Sequence, residues 1–527
     1  MDFKQRRKKL LSRFTLIALA IILIFLSEAA LIAGAIYGFI LLFERHLPYA
    51  TVYLYCALIL CSWGIVTITV FSVVNRDMHP ECKLPWILCI VTLNLLGVLI
   101  YAVFSHSRPS RVQQKRHKLF FEHTRHFSEG ALSQETLEKT LKGRADISAA
   151  LTLSSPLAVA YGNTKTEYFA SGESFFEALI KDLAAATKYI FLEFFILAKG
   201  EMWNAILTIL RRKVQEGVEV RVMYDDVGSM GRVRAGYHKV LRKMGIRCVK
   251  FKPFLPVVTN LHNYRDHRKI VVIDGKIAYT GGINLGDEYI NRVHPYGYWK
   301  DSAIRLEGVG AKSFLLLFLS MYNVQNKSDE DFAKYIPRYE AYESEGVVQG
   351  FGAGPKPIYE NHIAEEVFLN LLGGAKRYAY LTTPYLVIDY RLKEALLLAA
   401  RRGVDVRIVT PKIPDKKIVF ALTRSSYAAL IEAGVQIYEY TPGFMHAKNF
   451  LCDDEMGVVG TINFDYRSLV HHYEDAVLMF QTTALQEMKR DFDEIFSLSE
   501  LQTVKSAKHG VVYRRILEII KVFAPLF

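Results

Sequence analysis

Hydrophobic positions fall into two regimes along the chain. Residues 14–43 carry a single charge, Glu28, and residues 50–74 and 84–104 carry none. A membrane-crossing helix needs about 20 predominantly apolar residues, so the pattern predicts three apolar helices, at about 14–43, 50–74 and 84–104. From about residue 160 amphipathic helical periods alternate with short buried runs, as in SFFEALIKDLAAATKYIFLEFFIL and AILTILRRKVQEGVEVRVMYDD. That alternation predicts an α/β fold, with one helix opening at Ser174 and Glu177 placed to close a capping box.

The α/β pattern then runs a second time. VFLNLLGGAKRYAYLTTPYLV and ALLLAARRGVDVRIVTPK answer the two helix–strand units; GVEVRVMYDD at 217 matches GVDVRIVTPK at 403, and MGIRCVKF at 244 matches AGVQIYEY at 433. Within each copy lies an HxKxxxxD string, HRKIVVID at 267–274 and HAKNFLCD at 446–453, followed by GGIN at 281–284 and GTIN at 460–463. The interval from His267 to His446 equals the interval from Asn284 to Asn463. Shared helix and strand periods arise easily among α/β units. His, Lys, Asp, Gly and Asn in one register twice do not, and they point to a duplicated catalytic unit.

Those residue types suit a phosphodiester. One imidazole would attack phosphorus to form a phosphohistidine, and the other would protonate the departing alkoxide and later take a proton from the incoming hydroxyl. Lys269 and Lys448, two residues on and so facing the same way on a strand, would meet the non-bridging oxygens together with Asn284 and Asn463. An attacking imidazole needs a carboxylate on its other nitrogen to fix the tautomer. Asp301 in YWKDSAIRLEG and Glu474 in HHYEDAVLMF occupy equivalent places after the two motifs. Asp274 and Asp453, the last residues of the strings, read as holding the turn after each motif strand. No ligand spacing suggests a metal, and the chemistry predicts no cofactor.

Composition agrees with a membrane enzyme. The net charge of +13 suits either nucleic acid or an anionic membrane surface; apolar helices already in the bilayer favour the membrane and argue against nucleic acid. The six cysteines form no CxxC or metal spacing, which predicts reduced thiols. Basic residues flank both ends of the apolar region, Lys4 to Arg13 before it and Arg108 to Lys118 after it. Lys and Arg accumulate on the cytoplasmic side, so one apolar stretch is expected not to cross, leaving the large C-terminal part cytoplasmic. The terminal stretch HGVVYRRILEIIKVFAPLF is amphipathic and suits either the membrane interface or the catalytic core.

The paired HxKxxxxD strings resemble the duplicated HKD motif of the phospholipase D superfamily. NRDMHPECKLPWILCIVTLNLLGVLIYAVFSHSR, NYRDHRKIVVIDGKIAYTGGINLGDEY, TTPYLV and FAPLF are further similar to bacterial cardiolipin synthases. The resemblance implies an α/β fold of two tandem phospholipase D-like α/β/α sandwich domains related by a pseudo-two-fold, preceded by transmembrane helices. Expected boundaries are a membrane region at 1–107, a basic linker at 108–158, a first domain at 159–340 and a second at 341–527. It implies a multi-pass protein of the bacterial cell membrane that joins two phosphatidylglycerol molecules into cardiolipin and glycerol. The catalytic set is then His267, Lys269, Asp274, His446, Lys448 and Asp453, supported by Asn284, Asn463, Asp301 and Glu474. His267 is implied as nucleophile and His446 as acid and base. Two departures stand out: Thr461 where the superfamily often has Ser, and Gly282 at the equivalent place in the first motif, where a hydroxyl is absent. A phospholipase D hydrolase, a phosphatidyltransferase using serine or phosphatidylethanolamine, a nuclease and a non-catalytic scaffold are the competing readings.

Overall fold

The computed structural model describes residues 49–105, 111–155, 157–252, 264–340, 344–507 and 511–524, with isolated positions between 30 and 41. The first expected apolar helix, 14–43, lies largely outside the described residues. The remainder divides into a unit containing the apolar N-terminal helices and a larger α/β unit, Pro109–Phe254 with Asn263–Glu518.

In the first unit, Tyr49–Asn75 is an uncharged helix of 27 residues, about 40 Å at 1.5 Å per residue and so long enough to cross a bilayer. The segment Pro80–Phe104 is equally apolar, yet it is not one straight helix. It breaks at Asn94, where φ is +49°. On a straight helix Trp86 and Tyr101 would stand about 22 Å apart; their ring centroids are 5.5 Å apart. The two arms meet at Gly97, where a Cβ would lie 2.2 Å from the Cys89 carbonyl oxygen. Arg76, just before the segment, donates to Tyr101 Oη at 3.0 Å and Ser105 Oγ at 3.4 Å near its end. The third expected span is therefore a helical hairpin, permitted by an Asn that tolerates positive φ and a Gly that lets backbone approach backbone.

The α/β unit holds two mixed sheets. The first contains β1 (Thr164–Phe169), β2 (Tyr189–Phe194), β3 (Glu219–Asp225), β4 (Arg247–Phe251), β5 (Lys269–Ile273), β6 (Ile277–Gly281) and β8 (Ala303–Gly308), in the order β1-β8-β6-β5-β2-β3-β4. Strand β7 (Tyr298–Lys300) stands apart. The second contains β9 (Val347–Ala353), β10 (Tyr378–Thr382), β12 (Asp405–Pro411), β13 (Gln436–Tyr440), β15 (Asn449–Cys452), β16 (Met456–Gly460), β18 (Glu474–Phe480) and β19 (Ser499–Leu501), in the order β9-β18-β16-β15-β10-β12-β13-β19. Apart from the added β19, the orders correspond strand for strand. Short strands β11 (Leu386–Val387) and β17 (Phe464–Asp465) pair with each other, and β14 (Gly443–Met445) pairs with β7.

The central strands are apolar on both faces because both faces are covered: every residue of β2, β5, β10 and β15 is buried. The helix Ala311–Asn326 packs on β4, β5 and β6 of one sheet and β9 of the other, so it is buried nearly all round. One core cluster runs through both sheets. That shared core lets residues from two sheets hold fixed distances across one site.

Two local expectations change. The helix after β1 is Gly172–Ala185, capped by Ser171, whose Oγ accepts from Ser174 N–H at 3.2 Å. The cap lies three residues before Ser174, and the helix opens on a Gly that fits against the Tyr289 carbonyl oxygen, 1.7 Å from where a Cβ would fall. The stretch expected as a basic linker carries helices Arg111–Thr124, Gln134–Leu141 and Ala145–Ser154, and Phe120, Leu137, Leu141 and Leu151 enter the shared core.

Candidate active site

Each HxK pair lies at the edge of its sheet toward which the parallel strands point. Phe194, ending β2, is in register with Lys269, beginning β5; β10 ends at Thr382 and β15 begins at Asn449, one residue past Lys448. In open α/β sheets ligands bind outside the carboxyl ends of the strands.

Two short parallel pairings join these edges. Asp266 bridges Tyr473, with the His267 N–H donating to the Tyr473 carbonyl at 2.9 Å. Met445 lies opposite Lys300, with the His446 N–H donating to the Lys300 carbonyl at 2.7 Å. Parallel register then sets the following residues side by side. His267 Nδ1 is 2.8 Å from Glu474 Oε2, and His446 Nδ1 is 2.6 Å from Asp301 Oδ2. Both carboxylates expected from the sequence are engaged, each by the histidine of the other half.

Burial pushes His267 down to about 3 and His446 down to about 4, so both rings are neutral. Against the upward push of burial, His267 and His472 hold Glu474 below the usual carboxylate range, and His446 and Lys448 do the same for Asp301. An ionised carboxylate can only accept. Nδ1 of His267 therefore carries the hydrogen, which leaves a lone pair on Nε2; Nδ1 of His446 lies between Asp301 Oδ2 and Lys448 Nζ, the latter at 2.9 Å. Lys269 Nζ donates to the His267 carbonyl at 2.5 Å, and Lys448 Nζ to that of His446. Burial pushes these lysines down, to about 8 and about 7, and the Lys269 charge further lowers both Lys448 and His446. The four side chains share one electrostatic field.

Asn284 is held in place, accepting from Ile196 N–H at 3.0 Å and donating to Tyr289 Oη at 2.8 Å; the Tyr289 ring meets His446 edge-on at 5.5 Å. Asn463 is buried, and its Oδ1 meets no donor among the described residues. Asp274 and Asp453 stand at the far ends of the motif strands, with φ of +52° and +58°. Asp274 accepts from the N–H groups of Thr187, Lys188 and Tyr189. Asp453 accepts from those of Lys376, Arg377 and Tyr378 and from Arg144. Each clamps a neighbouring strand's start, seven residues and about 23 Å of extended chain away from its histidine.

Three features of the site lie beyond the motif strings and their carboxylates. Arg268 is buried, donating to Tyr359 Oη at 2.7 Å and to the Glu474 carbonyl at 3.2 Å. Asp475, which burial pushes up to about 7, accepts from Lys269 N–H and from Thr280 Oγ1. A charge inside an apolar strand run is their signature, since such residues are rarely buried without a task. The third is the unequal support of the carboxylates. Thr461 donates to Glu474 Oε2, whereas a Cβ at the equivalent Gly282 would lie 1.9 Å from Asp301 Oδ1. His267, His472 and Glu474 each also bring a potential metal-ligand atom within 4.8 Å of the others, though here Nδ1 of His267 is bonded to Glu474.

The family model "Cardiolipin synthase, PLD-like domain" matches residues 179–299 and 368–496. A protein named "Cardiolipin synthase" from Geobacillus sp. (strain WCH70) is 32% identical over 476 residues, covering 89% of this chain and 93% of that one. The chain belongs to the cardiolipin synthase family. "Cardiolipin synthase 1" of Bacillus cereus is 30% identical over 502 residues, 92% of this chain and 97% of that protein. An uncharacterized Streptococcus mutans protein is 48% identical over 368 residues, 69% and 79% respectively. A crystal structure of phosphatidylserine synthase from Haemophilus influenzae Rd KW20 shares the fold, with TM-score 0.52 at 14% identity over 69% of this chain and 95% of that one. The two segments matched by the cardiolipin synthase family model contain both HxK pairs.

Proposed function

We propose that the chain is a membrane-bound phosphatidyltransferase that makes cardiolipin and glycerol from two phosphatidylglycerol molecules. The observation that carries the reading is the pair of buried, neutral histidines, each held by an ionised carboxylate of the other half. Nε2 of His267 attacks phosphorus, the bond from phosphorus to the glycerol oxygen breaks, and His446, protonated once the substrate anion is present, gives that oxygen its proton. The hydroxyl of a second phosphatidylglycerol then loses its proton to His446 and attacks phosphorus, and the bond to Nε2 breaks. Lys269 and Lys448 stabilise the non-bridging oxygens. Asp274 and Asp453 support the motif strands; Asn284 holds Tyr289 beside the His446 ring, and Asn284 and Asn463 join the lysines in hydrogen-bonding the non-bridging oxygens. The two halves are related by a pseudo-two-fold with the histidine pair on its axis; corresponding strand orders support this.

The apolar N-terminal stretches support a multi-pass protein. With 14–43 and 49–75 crossing and 80–104 turning back, both basic flanks fall on the cytoplasmic side, together with the catalytic unit. The direct test is product analysis: purified full-length protein in bilayers of labelled phosphatidylglycerol releases glycerol and forms cardiolipin in equal amounts. Phosphatidic acid as the main product would replace transfer by hydrolysis.

A further inference from the structure

Two loops leave the carboxyl ends of corresponding strands, one after β3 and one after β12. The first reaches the His267 side of the site: Ser229 Oγ contacts the Phe195 carbonyl, and the Phe195 ring lies 5.0 Å from His267. The second reaches the His446 side. Asp415 accepts from Tyr385 Oη at 2.6 Å, and Tyr385 packs on the cluster containing Tyr289 and Trp299, the rings that face His446 at 5.5 and 5.1 Å.

Both loops carry the same surface chemistry. Met230 is 57% exposed, and Ile413 and Ile418 are 40% and 64% exposed. Exposed cations accompany them, Arg234 on the first loop and Lys416 and Lys417 at the end of the second, where Lys417 and Ile418 open the helix Lys417–Arg424. A single exposed apolar side chain needs no explanation. The same combination on both sides of one catalytic mouth, with lysines adjoining isoleucines, has the composition of an interfacial membrane surface. A protein partner bridging both loops would cover the mouth through which the substrate enters. A bilayer rich in anionic lipid would complement the cations and supply the substrate itself.

We propose that these loops form a docking rim that seats the active-site mouth on an anionic bilayer, with Met230, Ile413 and Ile418 entering the headgroup layer and Arg234, Lys416 and Lys417 meeting its phosphates. The histidines are only 7% and 8% exposed, so the phosphate of a lipid still in a bilayer reaches them when this face lies against the headgroups. The rim deepens the phosphatidyl-transfer reading by stating how the substrate is presented.

The test uses full-length protein and two substrate forms: phosphatidylglycerol in nanodiscs, and dihexanoyl phosphatidylglycerol below its critical micelle concentration with the enzyme in detergent. The double variant Ile413→Asp/Ile418→Asp is expected to lose about tenfold or more of its turnover on nanodiscs, the scale of one lost apolar burial, and to match wild type on the dispersed lipid. Lys416→Gln/Lys417→Gln is expected to lose a smaller factor that shrinks at high salt. Unchanged turnover on nanodiscs, or equal losses on both substrates, overturns the rim. A readout independent of turnover separates this from the reaction itself: a photoreactive benzoylphenylalanine at Ile418 is expected to crosslink to phosphatidylglycerol, and one at exposed Lys139 is not. Absence of a lipid crosslink at 418, or a crosslink to a membrane protein instead, overturns the rim; a lipid crosslink without cardiolipin formation upholds it and overturns the transfer reading.

Discussion

His267 is held by Glu474 and His446 by Asp301, so each histidine takes its carboxylate from the other half of the chain, at 2.8 and 2.6 Å. Neither half contains a complete pair. Glu474→Gln would leave the shape intact while presenting an amide that can donate to Nδ1, which moves the ring hydrogen to Nε2 and removes the nucleophilic lone pair. Turnover is expected to fall by about 10³- to 10⁴-fold, as when the orienting carboxylate of a histidine is neutralised elsewhere. The melting temperature should stay near wild type. A loss below tenfold in steady-state assays would sink the pairing as a catalytic device.

The two carboxylates are supported differently, and this too is testable. Glu474 receives the Thr461 hydroxyl, while Asp301 fills the space beside Gly282 in which a side chain would otherwise sit. Thr461→Ser keeps the donor and should stay within about threefold of wild type, whereas Thr461→Val removes it and should lose about ten- to a hundredfold, the scale of an unmade buried hydrogen bond. Gly282→Ser should not improve the site by restoring a hydroxyl. Its Cβ collides with Asp301, and activity should drop at least as far as in Thr461→Val.

This pairing marks the limit of what the chain discloses in one dimension. The repeat, the HxK strings, both carboxylates and most strands are legible because hydrophobic period and fixed spacing are local properties. The exchange of partners is not, because it depends on Asp266 meeting Tyr473 and Met445 meeting Lys300 across the two sheets. Gly282 reads in sequence as a missing hydroxyl; in space it is room for Asp301. Likewise 84–104 reads as a span, since composition cannot register that Asn94 and Gly97 reverse the chain. Arg268 and Asp475 look like ordinary strand charges until their burial is known.

The shifted lysines set a pH limit. Lys448 and Lys269 are pushed down by burial to about 7 and about 8, so their positive charge is present at low pH and lost as pH rises through those values. The histidines, pushed down to about 3 and about 4, are neutral above that range. Because kcat/KM reports the free enzyme, and transfer needs a proton on His446 that the free enzyme lacks above about pH 4, it should fall steadily from about pH 5 and more steeply above about pH 7 to 8, where the lysines lose their charge. Lys448→Arg keeps the charge and should move the alkaline limb upward, whatever its absolute rate. A profile still level at pH 9.5 would contradict these assignments.

Asp453 should matter for stability more than for chemistry. Burial raises it, but the N–H groups of Tyr378, Arg377 and Lys376, with Arg144, hold it below the usual range. Asp453→Ala leaves several of these donors unpaired, which should destabilise the fold by about 2–4 kcal/mol. Turnover per folded molecule should remain within about tenfold, read by denaturant titration beside active-site titration. Loss of turnover at full stability would make Asp453 a participant in the reaction.

The hairpin predicts which face of the membrane each end of the 80–104 segment meets. Arg76 reaches both Tyr101 and Ser105, so the segment returns to the side on which it began. In protein whose native cysteines are replaced by serine, Asp77→Cys and Ser105→Cys should both react with an impermeant maleimide added to inside-out vesicles, and neither should react in spheroplasts. A straight span would place the two on opposite faces and split the labelling. Same-side labelling would explain why the N-terminal arm and the stretch after residue 107 are both basic without violating the bias of Lys and Arg toward the cytoplasm.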